Sequence, residues 1–281
     1  SWNGSAWTKL GDDIDGEAAG DYSGYSVSLS SDGKTVAIGA YLNDGTASDA
    51  GHVRVYSWNG SAWTKLGDDI DGEAGDDQSG SRVSLSSDGT TVAIGAYYND
   101  GNGSNAGHVR VYSWNGSAWT KLGDDIDGEA SGDFSGYSVS LSSDGTTVAI
   151  GAYNNDANGS NSGHVRVYNW SGSAWTKLGD DIDGESGGDQ LGVSVSLSSD
   201  GTIVAIGAYG EDGNGLNVGH VKVYSWNGST WTKLGDDIDG EAAGDRSGRS
   251  VSLSSDGTTV AIGSSENGGY SGHVRVYNLV N

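Results

Sequence analysis

The stretch Ser26–Asp69, SVSLSSDGKTVAIGAYLNDGTASDAGHVRVYSWNGSAWTKLGDD, decides the fold. SVSLS alternates apolar and small polar residues, TVAIGAY is rich in β-branched residues, HVRVYSW alternates again, and AWTKLGDDI opens on an aromatic ring. All four read as β-strands. The first two are joined through SSDG and the last two through WNGS, and Asp-Gly and Asn-Gly are the dipeptides of tight hairpins because both central residues take positive φ. The other two connections are longer: YLNDGTASDAG, and the acidic run that leads onward from Leu66.

The unit recurs. Val27, Val83, Val139, Val195 and Val251 are 56 residues apart, as are Trp7, Trp63, Trp119, Trp175 and Trp231. His52, His108, His164 and His220 keep the interval, and His273 comes early because the loop before it is shorter. Five repeats of four antiparallel strands, about 56 residues each, predict one domain over residues 1–281, an all-β five-bladed β-propeller of four-stranded blades. The chain opens at a fourth-strand hairpin and stops after a third strand, so residues 1–15 are expected to supply the outer strand of the last blade and close the ring. With the first strand lining the axis, the tight turns share one face of the disc and the long loops share the other. Long loops on a rigid scaffold are where binding residues gather.

Composition narrows the function. The chain carries 38 acids against 14 bases, a formal charge of -24, which opposes nucleic acid and anionic membranes as partners. No apolar run reaches the roughly 20 residues of a membrane helix, so membrane insertion is not expected. Without cysteine there is no disulfide framework and no thiol chemistry. With neither an initiating Met nor a hydrophobic leader at Ser1, the chain reads as a mature product or as part of a longer polypeptide or surface assembly.

The run SGYSVSLSSDGKTVAIGAYLNDGTASDAGHVRVY resembles the FG-GAP repeats of integrin α-chain propellers, whose pattern is Phe-Gly-x-Ser-Val, then Gly-Ala-Pro, then Gly-x-Val-x-Val-Tyr. The resemblance extends through all five repeats. It implies a propeller, an extracellular or cell-surface location, adhesion or ligand recognition, and calcium held in a loop of the Asp-x-Asp-x-Asp-Gly type. This sequence departs from that pattern at three places. Phe-Gly reads Ser23-Gly24, Ser79-Gly80, Ser135-Gly136, Leu191-Gly192 and Ser247-Gly248, and Gly-Ala-Pro has become Gly-Ala-Tyr at Tyr41, Tyr97, Tyr153 and Tyr209. The turn that would hold calcium carries one acid per repeat, at Asp32, Asp88, Asp144, Asp200 and Asp256, so the family's calcium site does not carry over.

Two sets of residues remain as candidates. The acidic run places carboxylates at Asp12, Asp13, Asp15, Glu17 and Asp21, then at Asp68, Asp69, Asp71, Glu73 and Asp77, and at Asp124, Asp125, Asp127, Glu129 and Asp133. It does so again at Asp180, Asp181, Asp183, Glu185 and Asp189, and at Asp236, Asp237, Asp239, Glu241 and Asp245. As a metal site it would suit a hard cation, with Ca²⁺ the candidate cofactor, since Ca²⁺ takes about six to eight oxygens. As architecture, the same acids would accept hydrogen bonds from loop amides and hold a proline-free connection in shape, and that role is favoured for most of them. The second set pairs an aromatic ring with a loop acid: Tyr41 and Asp44, Tyr97 and Asp100, Tyr153 and Asp156, Tyr209 and Asp212. A tyrosine beside Asn and Asp suits a sugar, and repetition would add avidity.

No enzyme is expected. Each Ser, His and Asp recurs in equivalent surroundings where catalysis needs one assembled constellation, and no nucleophile elbow, phosphate loop or zinc spacing occurs. The function expected is a non-enzymatic extracellular binding or adhesion module for a protein or glycan ligand. The alternatives are a structural spacer or surface-coat propeller with cation-binding loops, and a multivalent lectin.

Overall fold

In the computed structural model, which describes residues 4–210 and 217–279, the protein is all-β apart from one helical turn at Asn267–Tyr270. The first sheet sets the pattern. Strands β1 (Ser26–Leu29), β2 (Thr35–Ala40), β3 (His52–Trp58) and β4 (Trp63–Lys65) lie side by side and antiparallel, and the short β5 (Ile70–Asp71) also pairs with β3. The register runs Val27↔Ile38, Ile38↔Arg54 and Trp58↔Trp63, and then resumes at Val53↔Ile70. The fourth strand is therefore one strand in two pieces, interrupted by a bulge at Gly67-Asp68-Asp69. Ile70, the last residue of the expected fourth strand, belongs to the sheet and is drawn into the core at 4% exposure, and it carries Asp71, expected in the acidic connection, with it.

Three more sheets repeat this arrangement, and a fifth has three strands, Ser247–Leu253, Thr259–Ser264 and His273–Asn278. Successive first strands lie against one another. The amide of Leu85 donates to Ser28 Oγ at 2.9 Å, and Leu141, Leu197 and Leu253 repeat the bond with Ser84, Ser140 and Ser196. The arrangement is propeller-like, with the hydrophobic core between the sheets: Val53, Val55 and Ile70 of one pack on Leu85, Val92 and Ile94 of the next. The repeated tryptophans seal the same seam, as when Trp119 Nε1 donates to Leu66 O at 2.9 Å.

The close approach of the sheets explains the repeated glycine of "IGA". A Cβ added at Gly39, Gly95, Gly151 or Gly207 would collide with a carbonyl oxygen of the following sheet, that of Gly80, Gly136, Gly192 or Gly248. At Gly263, in the last sheet, such a Cβ would crowd Ser250 Oγ and no backbone atom. Both ends of the array leave apolar faces open, with Val27 64%, Leu29 57%, Val274 68% and Val276 65% exposed. Residues 4–15 form no extended strand and Trp7 is 82% exposed, so among the described residues the last sheet gains no fourth strand; residues 1–3 lie outside them. No helix among the described residues is long and apolar enough to cross a membrane.

Candidate functional site: the aromatic mouth and the acidic loops

Strand order puts both tight turns on one side and both long loops on the other. The long loops are tied together: Asp76 N donates to Ser48 O at 2.8 Å and Ser79 N to Ala50 O at 2.9 Å.

The five acids of each repeat do not converge. The first is solvent-facing. The second pairs with the lysine four residues before it, as in Lys65–Asp69 at 2.8 Å and Lys121–Asp125 at 2.7 Å. The third lies on the short strand opposite the histidine, His52↔Asp71. The glutamate reaches the next sheet, giving Arg54–Glu17 at 3.4 Å and Arg110–Glu73 at 3.2 Å. The fifth, Asp21, Asp77, Asp133, Asp189 or Asp245, is buried. Its carboxylate accepts loop amides, Ala74 N at 3.0 Å from Asp77 and Ala242 N at 2.9 Å from Asp245, and Asn99 Nδ2 donates to Asp77 at 3.0 Å. This last position is architecture.

The two acidic features offer a cation different donor sets. In the hairpin turn, Asp88 Oδ1 already accepts from Ser86 Oγ at 2.7 Å and from Thr90 N at 2.9 Å. Those bonds hold its carboxyl below the usual range against the opposing effect of burial. In the acidic run, the residues that come together include a ring nitrogen: Glu17, His52 and Asp69, then Glu73, His108 and Asp125, then Glu129, His164 and Asp181, each set with ligand atoms within 4.8 Å of one another. A mixed nitrogen and oxygen donor set suits zinc-like ions better than calcium. His108 and His164 are 1% exposed, and burial pushes each imidazole down to about 4, helped by the adjacent Arg110 or Arg166. A repeated histidine is expected to find a hydrogen bond, yet His164 has none on either ring nitrogen, its Nδ1 lying 4.0 Å from Asp183 Oδ1, and His108 has none on Nε2.

The tyrosines do converge. Tyr97, Tyr153 and their neighbours gather where the second strands end on the long-loop side. Ring centroids are 4.3 Å apart for Tyr137–Tyr153, 5.5 Å for Tyr97–Tyr137, 5.8 Å for Phe134–Tyr153 and 4.3 Å for Tyr25–Tyr41. Burial and neighbouring phenols push the Tyr153 hydroxyl up to about 12, so that phenol is neutral at ordinary pH. The acids expected to join them brace their own loops instead: Asp49 N donates to Asp44 at 2.8 Å, Asn105 N to Asp100 at 2.7 Å and Asn161 N to Asp156 at 2.7 Å. Asp212 lies outside the described residues.

Sequence reasoning passed over Tyr22, Tyr25, Phe134, Tyr137, Arg82 and Arg249. The signal was there as divergence: where the repeats are otherwise nearly alike, one position reads Tyr25, Ser81, Tyr137, Val193 and Arg249. Another reads Tyr22, Gln78, Phe134, Gln190 and Arg246, all left-handed, with φ of 54°, 56°, 55°, 56° and 51°. Glycine would meet that backbone demand with least strain, and a full side chain stands there in every repeat.

The FG-GAP repeat family matches residues 14–56, 69–112 and 126–168. No curated protein matches the chain. Among solved structures, a candidate 6-phosphogluconolactonase from Bacteroides uniformis is similar, with a TM-score of 0.63 and 13% identity over 92% of this chain and 68% of that one. The hydrazine synthase of Kuenenia stuttgartiensis gives a TM-score of 0.55 and 15% identity, over 91% of this chain and 60% of that one. At such identities the likeness is one of fold alone.

Proposed function

We propose that this FG-GAP repeat protein is a non-enzymatic binding module that works outside the cell or on its surface, with its ligand surface at the aromatic mouth of the long-loop face. In this reading the five sheets are five blades about one axis, and closure by residues 1–15 is not required. The observation that carries it is the mouth itself, where Tyr97 of one repeat meets Tyr137 of the next, and Tyr137 stands at a position where the repeats differ. Tyrosines packed at tilted and edge-to-face angles, with hydroxyls at their edges, suit a glycan better than a flat protein surface. The absence of catalysis is inferred from repetition: each histidine and acid recurs in like surroundings, and no single constellation is assembled. A glycan array probed with the native chain and with Tyr137→Ala and Tyr153→Ala tests this. Binding to at least one glycan class, weakened about tenfold by either change, is expected. Glycan binding untouched by both would move the ligand surface elsewhere.

A second reading is favoured by the unpartnered imidazole of His164. Glu129, His164 and Asp181 would take a divalent ion, making the chain an acidic spacer or surface-coat element tightened by metal. Arg166 and Lys177 already neutralise two of those carboxylates, so the ion must displace them. Zinc at tens of micromolar is then expected to raise the melting temperature by a few degrees where millimolar calcium does not, and His164→Asn is expected to lessen the shift. Equal melting in zinc and in chelator would remove this reading.

A further inference from the structure

In a chain with 38 acids and 14 bases, a cation without a carboxylate is unusual. Among the described residues every Lys and Arg but two has an acid within 4.0 Å; Lys222–Glu185 at 2.6 Å and Arg246–Glu266 at 3.1 Å are typical. The two exceptions, Arg82 and Arg249, come from different repeats and meet at the mouth. The Arg82 guanidinium lies 5.6 Å from the ring of Tyr25 and 5.1 Å from that of Tyr137. Arg249 lies 5.2 Å from the ring of Tyr209 and donates through Nη1 to the Tyr137 hydroxyl at 3.5 Å. Two guanidinium groups sharing one tyrosine repel each other, and an anion between them would relieve it.

A groove of about 440 Å³ runs from Arg249 past Ser250, Ser264 and Ser265 to His273. Ser264 is 1% exposed and its hydroxyl has no partner, and His273 Nε2 has none either. The last repeat departs from the others at Ser264, which stands where they carry Ala40, Ala96, Ala152 and Ala208. Glu241, the acid nearest His273 at 3.9 Å, is faced by Arg275 at 4.0 Å, so the groove is not closed to anions.

We propose that Arg249, Ser264 and His273 along this groove, with Arg82 joined to it through Tyr137, form a site for a saccharide that carries a single hexuronate among neutral sugars. The proposal rests on the reading of the long-loop mouth as a binding surface and names its ligand class. Guanidinium groups recognise a planar carboxylate in bidentate fashion, aromatic rings cover sugar C–H faces, and unpartnered hydroxyls and imidazole answer sugar hydroxyls. The charge of -24 repels acidic peptides and polysulfated chains, whereas one carboxylate drawn to a local pair of arginines meets that field only once.

Calorimetric titration of the whole chain with glucuronosyl-xylotriose and with xylotetraose tests it, with an acetylated Gly-Glu-Gly amide as the peptide arm. The acidic saccharide should bind at least tenfold more tightly than the neutral one. Arg249→Gln should abolish that difference by weakening the acidic saccharide more than xylotetraose, and raising salt from 50 to 500 mM should narrow it. Ser264→Ala installs the residue of four sister repeats, so folding is retained, and it should weaken the acidic saccharide about threefold. Equal affinity for the two saccharides, both lost in Tyr137→Ala, would overturn the uronate site and keep the binding face. Binding of the peptide in preference to either saccharide would also overturn it. If saccharides bind and neither Arg249→Gln nor Tyr137→Ala alters their affinity, the binding face falls as well.

Discussion

Gly151→Ala should destabilise the protein by about 3 kcal/mol, and Gly263→Ala, the same substitution at the equivalent position of the last repeat, by less than about 1 kcal/mol. Both glycines have ordinary negative φ, so neither substitution strains the backbone. The difference lies across the seam. A methyl at Gly151 would collide with the Gly192 carbonyl oxygen and with Ser138 Oγ, which itself donates to that carbonyl at 2.7 Å. The carbonyl belongs to the backbone of the next sheet, so the two sheets must part, and the contacts of Ala149, Val165 and Leu191 along the seam loosen with them. At Gly263 the methyl meets Ser250 Oγ, a hydroxyl that can rotate away. For a chain of this size about 3 kcal/mol corresponds to a fall of roughly 10 °C in melting temperature. Equal shifts for the two variants would mean that the first strands are not packed as described.

What the sequence disclosed follows from the reach of its signals. The strands and hairpins were legible because alternation and Asn-Gly or Asp-Gly turns act over a few residues, and the 56-residue interval multiplied them by five. The bulge at Gly67–Asp69 was not, since Asp is a poor strand former and Ile70–Asp71 is too short to show a period. Nor was the reason for Gly39: its constraint is the Gly80 carbonyl, in another repeat, and nothing near Gly39 in sequence records it. The same distance hid most of the site. Tyr97 and Tyr153 could be named because each stands at a strand end, but Arg249 meets Tyr137 across 112 residues, a neighbourhood created only by the curvature of the array. The acidic run misled in the opposite direction. Five carboxylates close in sequence are dispersed by strand pairing, by Lys65, by Arg110 and by burial of Asp77.

Acid should destabilise the protein well before its carboxylates titrate. His108 and His164 are neutral in the fold, with pKa values near 4 against 6.5 for an exposed imidazole. Between those values the unfolded chain takes up protons that the folded chain refuses, so stability is full above about pH 6.5 and falls as pH drops toward 4. Each histidine can contribute on the order of 3 kcal/mol to that loss. The groups facing them moderate it without reversing it. Asp125 and Asp181 favour the imidazolium, Arg110, Lys121, Arg166 and Lys177 oppose it, and burial of the side chains dominates. Asp127 and Asp183 act in the other direction, their carboxyls pushed up by burial, so part of the loss is recovered at the acid end of the window. Melting temperatures measured from pH 7.5 to 4.5 should therefore fall most steeply between 6.5 and 5, and the double variant His108→Asn, His164→Asn should flatten that slope. A native profile flat across the window, or a variant profile as steep as the native one, would show that these imidazoles take up their protons as readily folded as unfolded.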